Sequence, residues 1–457
     1  MVTILVLIAA VVVGLYMAWN IGANDVANAM GTSVGSRALT VRRAIILAGI
    51  FEFCGAFFVG GHVSQTIRKG IVDIESLRAQ PAAGQGRSSS APTSASAPAS
   101  GPSEGAPVIR PAGRKARGGR FDEATRMKLV MGMLASLLAA SLWLNVATYF
   151  AQPVSTTHAI VGAVVGFALI AAGPGSVVWS KIGQIVASWV LSPLVGAVLA
   201  FIIYRAIQRY VLRHRHPVFM AKRAVPICFG SVACILSLSI LYKVIHLEKS
   251  TIYLALPLAA IFGMAVALIA RAVLVRRTAR MRYRLKERYQ VVERWFGRIQ
   301  PVSACYMAFA HGANDVANAI GPLAGVIHWI TGGDIASKTP VPLWLLGLGG
   351  VGIVVGLGTY GYKVMEAIGR KITEITPTRG FSAEFGTAST VLVCSLMGLP
   401  ISTTLVLVGA VMGVGLARGF GAIDLKVIRR IFASWLVTIP VSAAFAAVIY
   451  TILIALT

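Results

Sequence analysis

The chain has 457 residues, of which 56% are hydrophobic and only 13% charged, and windows of about 20 apolar residues recur along almost its whole length. A soluble core is excluded, because runs such as Val186 to Ile203 and Leu254 to Ala270 are apolar on every side and Ile46 to Gly60 is interrupted only by Glu52. The lack of period-two alternation excludes a membrane β-barrel, and the formal net charge of +26 marks no nucleic-acid face, since the Lys and Arg residues sit between the apolar runs.

In chain order the hydropathy pattern predicts an all-α polytopic membrane protein of about twelve transmembrane segments, roughly residues 3–30, 41–63, 127–150, 155–172, 180–204, 224–245, 251–270, 300–321, 341–369, 382–399, 402–417 and 431–455. The opening run from Val2 to Trp19 lacks a basic n-region, so it reads as a span and not as a cleaved signal. An outside N-terminus puts five basic connections in the cytoplasm: Arg37/Arg42/Arg43, Arg205 to Arg223, Arg271 to Arg298, Arg370/Lys371/Arg379 and Arg418 to Arg430. The basic connection from Ser64 to Arg126 falls on the other side, but long loops obey the charge rule weakly.

Within that connection, residues 78–120 are rich in Ala, Ser, Pro and Gly and read as a disordered extramembrane linker. The expected organisation is therefore residues 1–77 opening a first repeat, 78–120 the linker, 121–210 completing that repeat, 211–298 connecting helices with a basic cytoplasmic loop, and 299–457 a second repeat. The five cysteines form no CxxC pair, which argues against a disulfide or zinc framework.

The repeats rest on two duplicated motifs. Gly-Ala-Asn-Asp-Val-Ala-Asn-Ala occurs at Gly22 to Ala29 and again 290 positions later (22 to 312) at Gly312 to Ala319. Pro153-Val154-Ser155-Thr156-Thr157 recurs 247 positions later (153 to 400) as Pro400-Ile401-Ser402-Thr403-Thr404, and the difference of 43 equals the length of the 78–120 linker. The octapeptides lie in the first and eighth predicted segments, seven steps apart, and an odd number of steps reverses direction, so the repeats are inverted, as in carriers that hold substrate at the bilayer midplane.

Each Pro-x-Ser-Thr-Thr motif falls between two apolar runs, and proline followed by hydroxyls favours a helix start, whether the flanking runs are re-entrant hairpins or full spans. Such a start offers backbone N–H groups, the positive end of the helix dipole and the hydroxyls of Ser155, Thr156 and Thr157, or of Ser402, Thr403 and Thr404. One copy fits ordinary helix–helix glue; two copies in inverted repeats favour an oxyanion site. In the octapeptides, Asp25 and Asn28 share a helix face, as do Asp315 and Asn318, and their oxygens suit a small hard cation such as sodium.

These residues carry a resemblance. The paired octapeptides, Phe51-Glu52 followed by Thr66 to Ile71, Pro153 to His158, Gly380 to Glu384 and Pro400 to Thr404 resemble the PiT family of inorganic phosphate transporters over essentially the whole chain apart from the linker. The resemblance implies phosphate import by alternating access in the cell membrane, coupled to sodium in many members and to protons in others, with no enzymatic activity, no cofactor and a homodimer as plausible assembly. It implies phosphate contacts from the two Ser-Thr-Thr sets with Asn24 and Asn314, sodium contacts from Asp25, Asn28, Asp315 and Asn318, and coupling roles for Glu52 and Glu384. Those two glutamates have no evident counterpart in the opposite repeat; position 137, which matches Glu384, is Leu137. Leu405 stands in the second motif where the first has His158, which leaves two readings of His158, a proton-linked partner of phosphate or a packed histidine, with packing favoured. Sulfate as cargo, a phosphate-sensing role and a Ser155–His158 membrane enzyme are the alternatives, the last lacking a third partner.

Overall fold

The structure is a computed structural model that describes residues 2–73, 76, 123–150, 152, 154–244, 252–278, 287–332, 340–362, 376–419 and 425–456. Its helices, in chain order, are α1 (Val2–Gly35), α2 (Val41–Val59), α3 (Gly61–Lys69), α4 (Glu123–Tyr149), α5 (Thr156–Ala172), α6 (Trp179–Ile207), α7 (Pro217–Val244), α8 (Ile252–Thr278), α9 (Arg288–Ile330), α10 (Leu343–Gly356), α11 (Pro377–Leu396), α12 (Thr403–Arg418) and α13 (Leu425–Ala455). Within the described residues each of the twelve predicted segments falls on helix, the second being split at Gly60 into α2 and α3, which meet at 66°, while residues 363–369 of the ninth lie outside the described residues. The linker of residues 78–120 lies outside the described residues.

Among the described residues seven helices are long and apolar enough to cross a membrane, and the bent α2–α3 pair adds an eighth. Helices α5 and α12 have 17 and 16 residues, a rise of about 25 Å against a hydrocarbon thickness of about 30 Å. They are the second arms of two hairpins, α4–α5 and α11–α12, whose tips carry Ser155-Thr156-Thr157 and Ser402-Thr403-Thr404. A hairpin that turns back preserves the parity of two spans, so α1 and α9 still run in opposite directions.

Serine side chains start both short helices. Ser155 is extended and its Oγ accepts the His158 N–H at 3.2 Å, while Ser402 Oγ accepts the Leu405 N–H at 3.3 Å. This leaves the other first-turn N–H groups facing the hairpin tip.

Packing in lipid has no hydrophobic drive between helices, so close backbone approach through small residues holds the bundle. Helix α6 of the first repeat packs on α12 of the second, and α13 of the second packs on α5 of the first. A Cβ at Gly413 would stand 2.0 Å from the Ala197 carbonyl oxygen, and one at Gly166 would stand 2.2 Å from that of Ala443. Gly166 and Gly413 share the hairpin offset of 247, as do Pro193 and Pro440 inside α6 and α13. Each hairpin is thus clasped by the last helix of the opposite repeat.

At the centre lies α9, in which every side chain from Ser303 to Val326 is buried. Protein surrounds it on all sides, which lets it carry Asn, Asp and His at membrane depth.

Candidate functional site

The octapeptides sit within α1 and α9, and both hairpin tips converge on them. Thr156 Oγ1 on the first hairpin donates to Asp25 Oδ2 at 2.7 Å, and Thr404 Oγ1 on the second donates to Asp25 Oδ1 at 3.4 Å. Thr403 Oγ1 donates to Asp315 Oδ2 at 2.9 Å, and Asn314 Nδ2 donates both to Asp315 Oδ1 at 2.6 Å and to the Ile401 carbonyl at 2.7 Å. Asn318 Nδ2 reaches Thr156 Oγ1 at 3.0 Å and Thr157 Oγ1 at 3.2 Å, and Thr157 Oγ1 donates to the Ile401 carbonyl at 3.0 Å. Residues far apart in sequence, from both repeats, therefore form one buried polar network.

The network is rich in oxygen and short of donors. Asp25 and Asp315 are buried carboxylates, and the Asn24 and Asn318 Oδ1 atoms are buried with no hydrogen-bond partner. Unanswered oxygens at this depth are costly unless a cation meets them. Opposite them, the N-termini of α5 and α12 offer backbone N–H groups and positive dipole ends, which suit an anion. Asn24 Nδ2 itself turns to Thr148 Oγ1 at 2.6 Å. The side chain of Asn28 lies outside the described residues.

Glu52 joins the centre through a residue that sequence reasoning missed. His311 Nδ1 lies 2.9 Å from a Glu52 carboxylate oxygen, and His311 Nε2 lies 2.7 Å from Asp315 Oδ2, so the imidazole bridges two carboxylates. The signal was present in the duplication: His311 immediately precedes the second octapeptide, and the matching residue before the first is Ile21. Backbone packing identifies the position matching Glu52 as well. Gly312 meets the Glu52 carbonyl as Gly22 meets that of Ile353, so Ile353 is the counterpart.

Glu384 occupies a separate buried cluster. Its Oε1 accepts from Thr32 Oγ1 and Ser33 Oγ, each at 2.6 Å, and from Gln300 Nε2 at 3.2 Å, while Oε2 accepts from Ser303 Oγ. These donors come from α1 and α9, about one turn beyond the octapeptide on α1 and about three turns before it on α9. His158 is buried with its ring centroid 3.9 Å from that of Trp189, whose Nε1 donates to the Pro400 carbonyl at 3.1 Å. The first-motif histidine thus packs against α6.

A two-fold all-helical membrane bundle whose repeats close hairpin tips and paired aspartates around one buried polar centre is the architecture of a secondary transporter. The chain belongs to the phosphate transporter family, which it matches over residues 21–95 and 108–446. It is 43% identical over 447 residues to a protein described as a phosphate permease of Pyrococcus abyssi, covering 98% of each chain. It is 42% identical to the chloroplastic inorganic phosphate transporter 2-1 of Arabidopsis thaliana, covering 97% of this chain and 71% of that one. A solved structure described as the sodium-dependent phosphate transporter superposes with a TM-score of 0.83 at 37% identity, covering 99% of this chain and all of the other.

Proposed function

We propose that this protein imports inorganic phosphate coupled to sodium, by alternating access of the two hairpins to a shared central site. In this reading phosphate binds at the N-termini of α5 and α12, contacted by Ser155, Thr156, Thr157, Ser402, Thr403 and Thr404 with Asn24 and Asn314. Sodium ions bind at Asp25 with Asn28 and at Asp315 with Asn318. The single observation that carries it is that Asp25 is hydrogen-bonded by Thr156 of one hairpin and Thr404 of the other, which ties the acidic centre to both halves.

The mechanism is electrostatic. Phosphate brings negative charge to a region that already holds Asp25 and Asp315, so it binds well only when cations neutralise them. Each ligand lowers the cost of the other by the same factor, which is coupling. A loaded site can close and reopen on the opposite side, whereas a half-loaded site keeps uncompensated charge and does not.

The test is uptake of labelled phosphate into liposomes under independently imposed sodium and proton gradients. Uptake should require the sodium gradient, and Asp25→Asn or Asp315→Asn should raise half-saturating sodium by about tenfold to a hundredfold, the value of a lost charged contact. Sodium activation unchanged in both variants would overturn the assignment. One observation favours a proton-driven variant of the same carrier, the position of His311 between Glu52 and Asp315; concentrative uptake on a proton gradient alone would select it.

A further inference from the structure

We propose that the basic end of the bundle, where α6, α7 and α9 meet, is a binding site for the headgroup of an anionic phospholipid. Residues 205–223, 271–276 and 287–298 hold eleven Lys or Arg against two carboxylates, Glu287 and Glu293. These stretches are ends of α6, α7, α8 and α9, with the π-helical turn Gln208–Leu212 that closes α6. One buried apolar cluster joins them: Val211 of the turn, Val225 of α7, Leu274 of α8 and Phe296 of α9 pack together with Phe381 of α11. The basic side chains therefore stand around a packed floor and not along loose loops. Arg288 Nη1 also reaches the Arg215 carbonyl at 3.4 Å, which holds the α6–α7 connection against the start of α9.

Three observations separate this patch from the charge excess that orients membrane helices in general. First, the ion pairs among the described residues are those of His311, so no carboxylate answers any of the eleven cations. Glu293 instead accepts from the Thr378 N–H at 2.9 Å and from Thr378 Oγ1 at 2.8 Å. Second, Arg209 and Arg223 are exposed and held by rings: the Arg223 guanidinium lies 4.5 Å from the Phe219 centroid, and that of Arg209 lies 6.0 Å from the Tyr210 centroid. A guanidinium held at a ring keeps its fork of N–H donors for two oxygens of one phosphate. Third, the patch borders apolar surface, since Ile202 on α6 and Val273 on α8 are exposed, as are the rings of Tyr210, Phe219 and Tyr289. A lipid meets both features, its phosphate at the arginines and its acyl chains along the apolar flank, whereas a soluble phosphate meets only the first.

The patch adjoins both ends of the second hairpin. Arg205 Nη1 donates to Gln208 Oε1 at 3.1 Å and to the Ala417 carbonyl, in the last turn of α12, at 3.5 Å, while Glu293 caps the start of α11 through Thr378. A headgroup phosphate lowers the mutual repulsion of the cations that frame those contacts. Because the patch exists only in the folded bundle, whatever binds it stabilises that bundle.

The experiment follows thermal unfolding of purified full-length protein in a neutral maltoside detergent. Dioctanoyl phosphatidylglycerol should raise the unfolding temperature saturably, and dioctanoyl phosphatidylcholine, with the same chains and no net charge, should not. Excess inorganic phosphate should leave the increment added by the lipid in place; its disappearance would assign the patch to a soluble phosphate and overturn the lipid. The deciding variant is Arg209→Lys/Arg223→Lys, which keeps both charges, and with them the orientation in the membrane, but loses the planar fork. It should need about tenfold more phosphatidylglycerol for the same increment, the value of a lost charged contact. Phe219→Leu, which keeps every charge and removes the ring beside Arg223, should shift the response the same way by less. Gel filtration and the unfolding temperature without lipid check that both variants fold. Equal stabilisation by the two lipids, or a lysine variant that responds as the unsubstituted protein does, would leave only a diffuse charge excess and overturn the site.

Discussion

In the α1–α10 interface Gly22 meets the Ile353 carbonyl and Gly356 meets that of Trp19; in the α9–α2 interface Gly312 meets the Glu52 carbonyl and Gly55 meets that of Phe309. A Cβ at any of the four would stand 1.9 to 2.2 Å from an oxygen of the facing backbone, so glycine is obligatory at each. Around these matching contacts the fillings differ. One interface has Ile21 and Ile353, both fully buried, where the other has His311 and Glu52. Duplication has fixed the backbone geometry, and divergence has altered the electrostatics of one half only. Asp25 is left to the threonines of the hairpins, whereas Asp315 also faces an imidazole held from behind by a third carboxylate.

The sharpest way to break this comparison is to make the interfaces alike. Glu52→Ile alone leaves His311 facing one carboxylate and a buried gap in its partners, and His311→Ile alone leaves Glu52 buried and unpaired; each should cost about 3–5 kcal/mol of stability. The double variant Glu52→Ile/His311→Ile reproduces the pair found at Ile353 and Ile21 and should recover about 1–3 kcal/mol of the summed loss. Denaturant unfolding of the three variants in detergent measures this. A double variant as unstable as the sum of the singles would show that the two side chains do not act as a pair.

Much of this was legible in the sequence, and the illegible parts have physical causes. The octapeptides and the Ser-Thr-Thr motifs gave away the centre because eight identical residues at membrane depth have few explanations other than duplication of a site. The hairpins were not separable from spans, because the apolar run of Thr156 to Ala172 has the same hydropathy whether it faces lipid or, as here, protein. The bend at Gly60 leaves no hydropathic trace either. The counterpart of Glu52 was hidden because the α9–α10 connection is longer than the α1–α2 turn, which shifts the match to Ile353 from either motif offset. His311 could have been found by asking which residue interrupts the duplication.

The clasp between hairpins and final helices gives a second, smaller test, since here the two halves are expected to respond alike. Gly166→Ala and Gly413→Ala each drive a methyl into facing backbone, at 2.2 Å and 2.0 Å, and such overpacking should cost about 1–3 kcal/mol. Gly183→Ala, in the exposed part of α6 with nothing within 4 Å of the added Cβ, should be neutral or should stabilise by up to about 1 kcal/mol through helix propensity. Thermal unfolding compares them. A loss confined to one of the two clasp glycines would show that the hairpins are held unequally, and the asymmetry would then extend beyond the His311–Glu52 pair.

The smallest effects separate the two roles of the hairpin serines. Ser155 and Ser402 cap α5 and α12 through their Oγ atoms as acceptors, which leaves each hydroxyl proton free to be donated. Alanine removes both roles at once, so Ser155→Ala and Ser402→Ala should lose about 1 kcal/mol of stability and also raise the phosphate concentration for half-maximal uptake. Aspartate keeps the cap but puts a negative charge where the anion is proposed to sit. Ser155→Asp and Ser402→Asp should therefore need more phosphate than the alanine variants, by about tenfold for each 1.4 kcal/mol of repulsion, and should also lose stability, because the added charge is buried. If the aspartate variants took up phosphate as the unsubstituted protein does, the serines would be helix caps alone and the anion would have to be held by the threonines and the backbone.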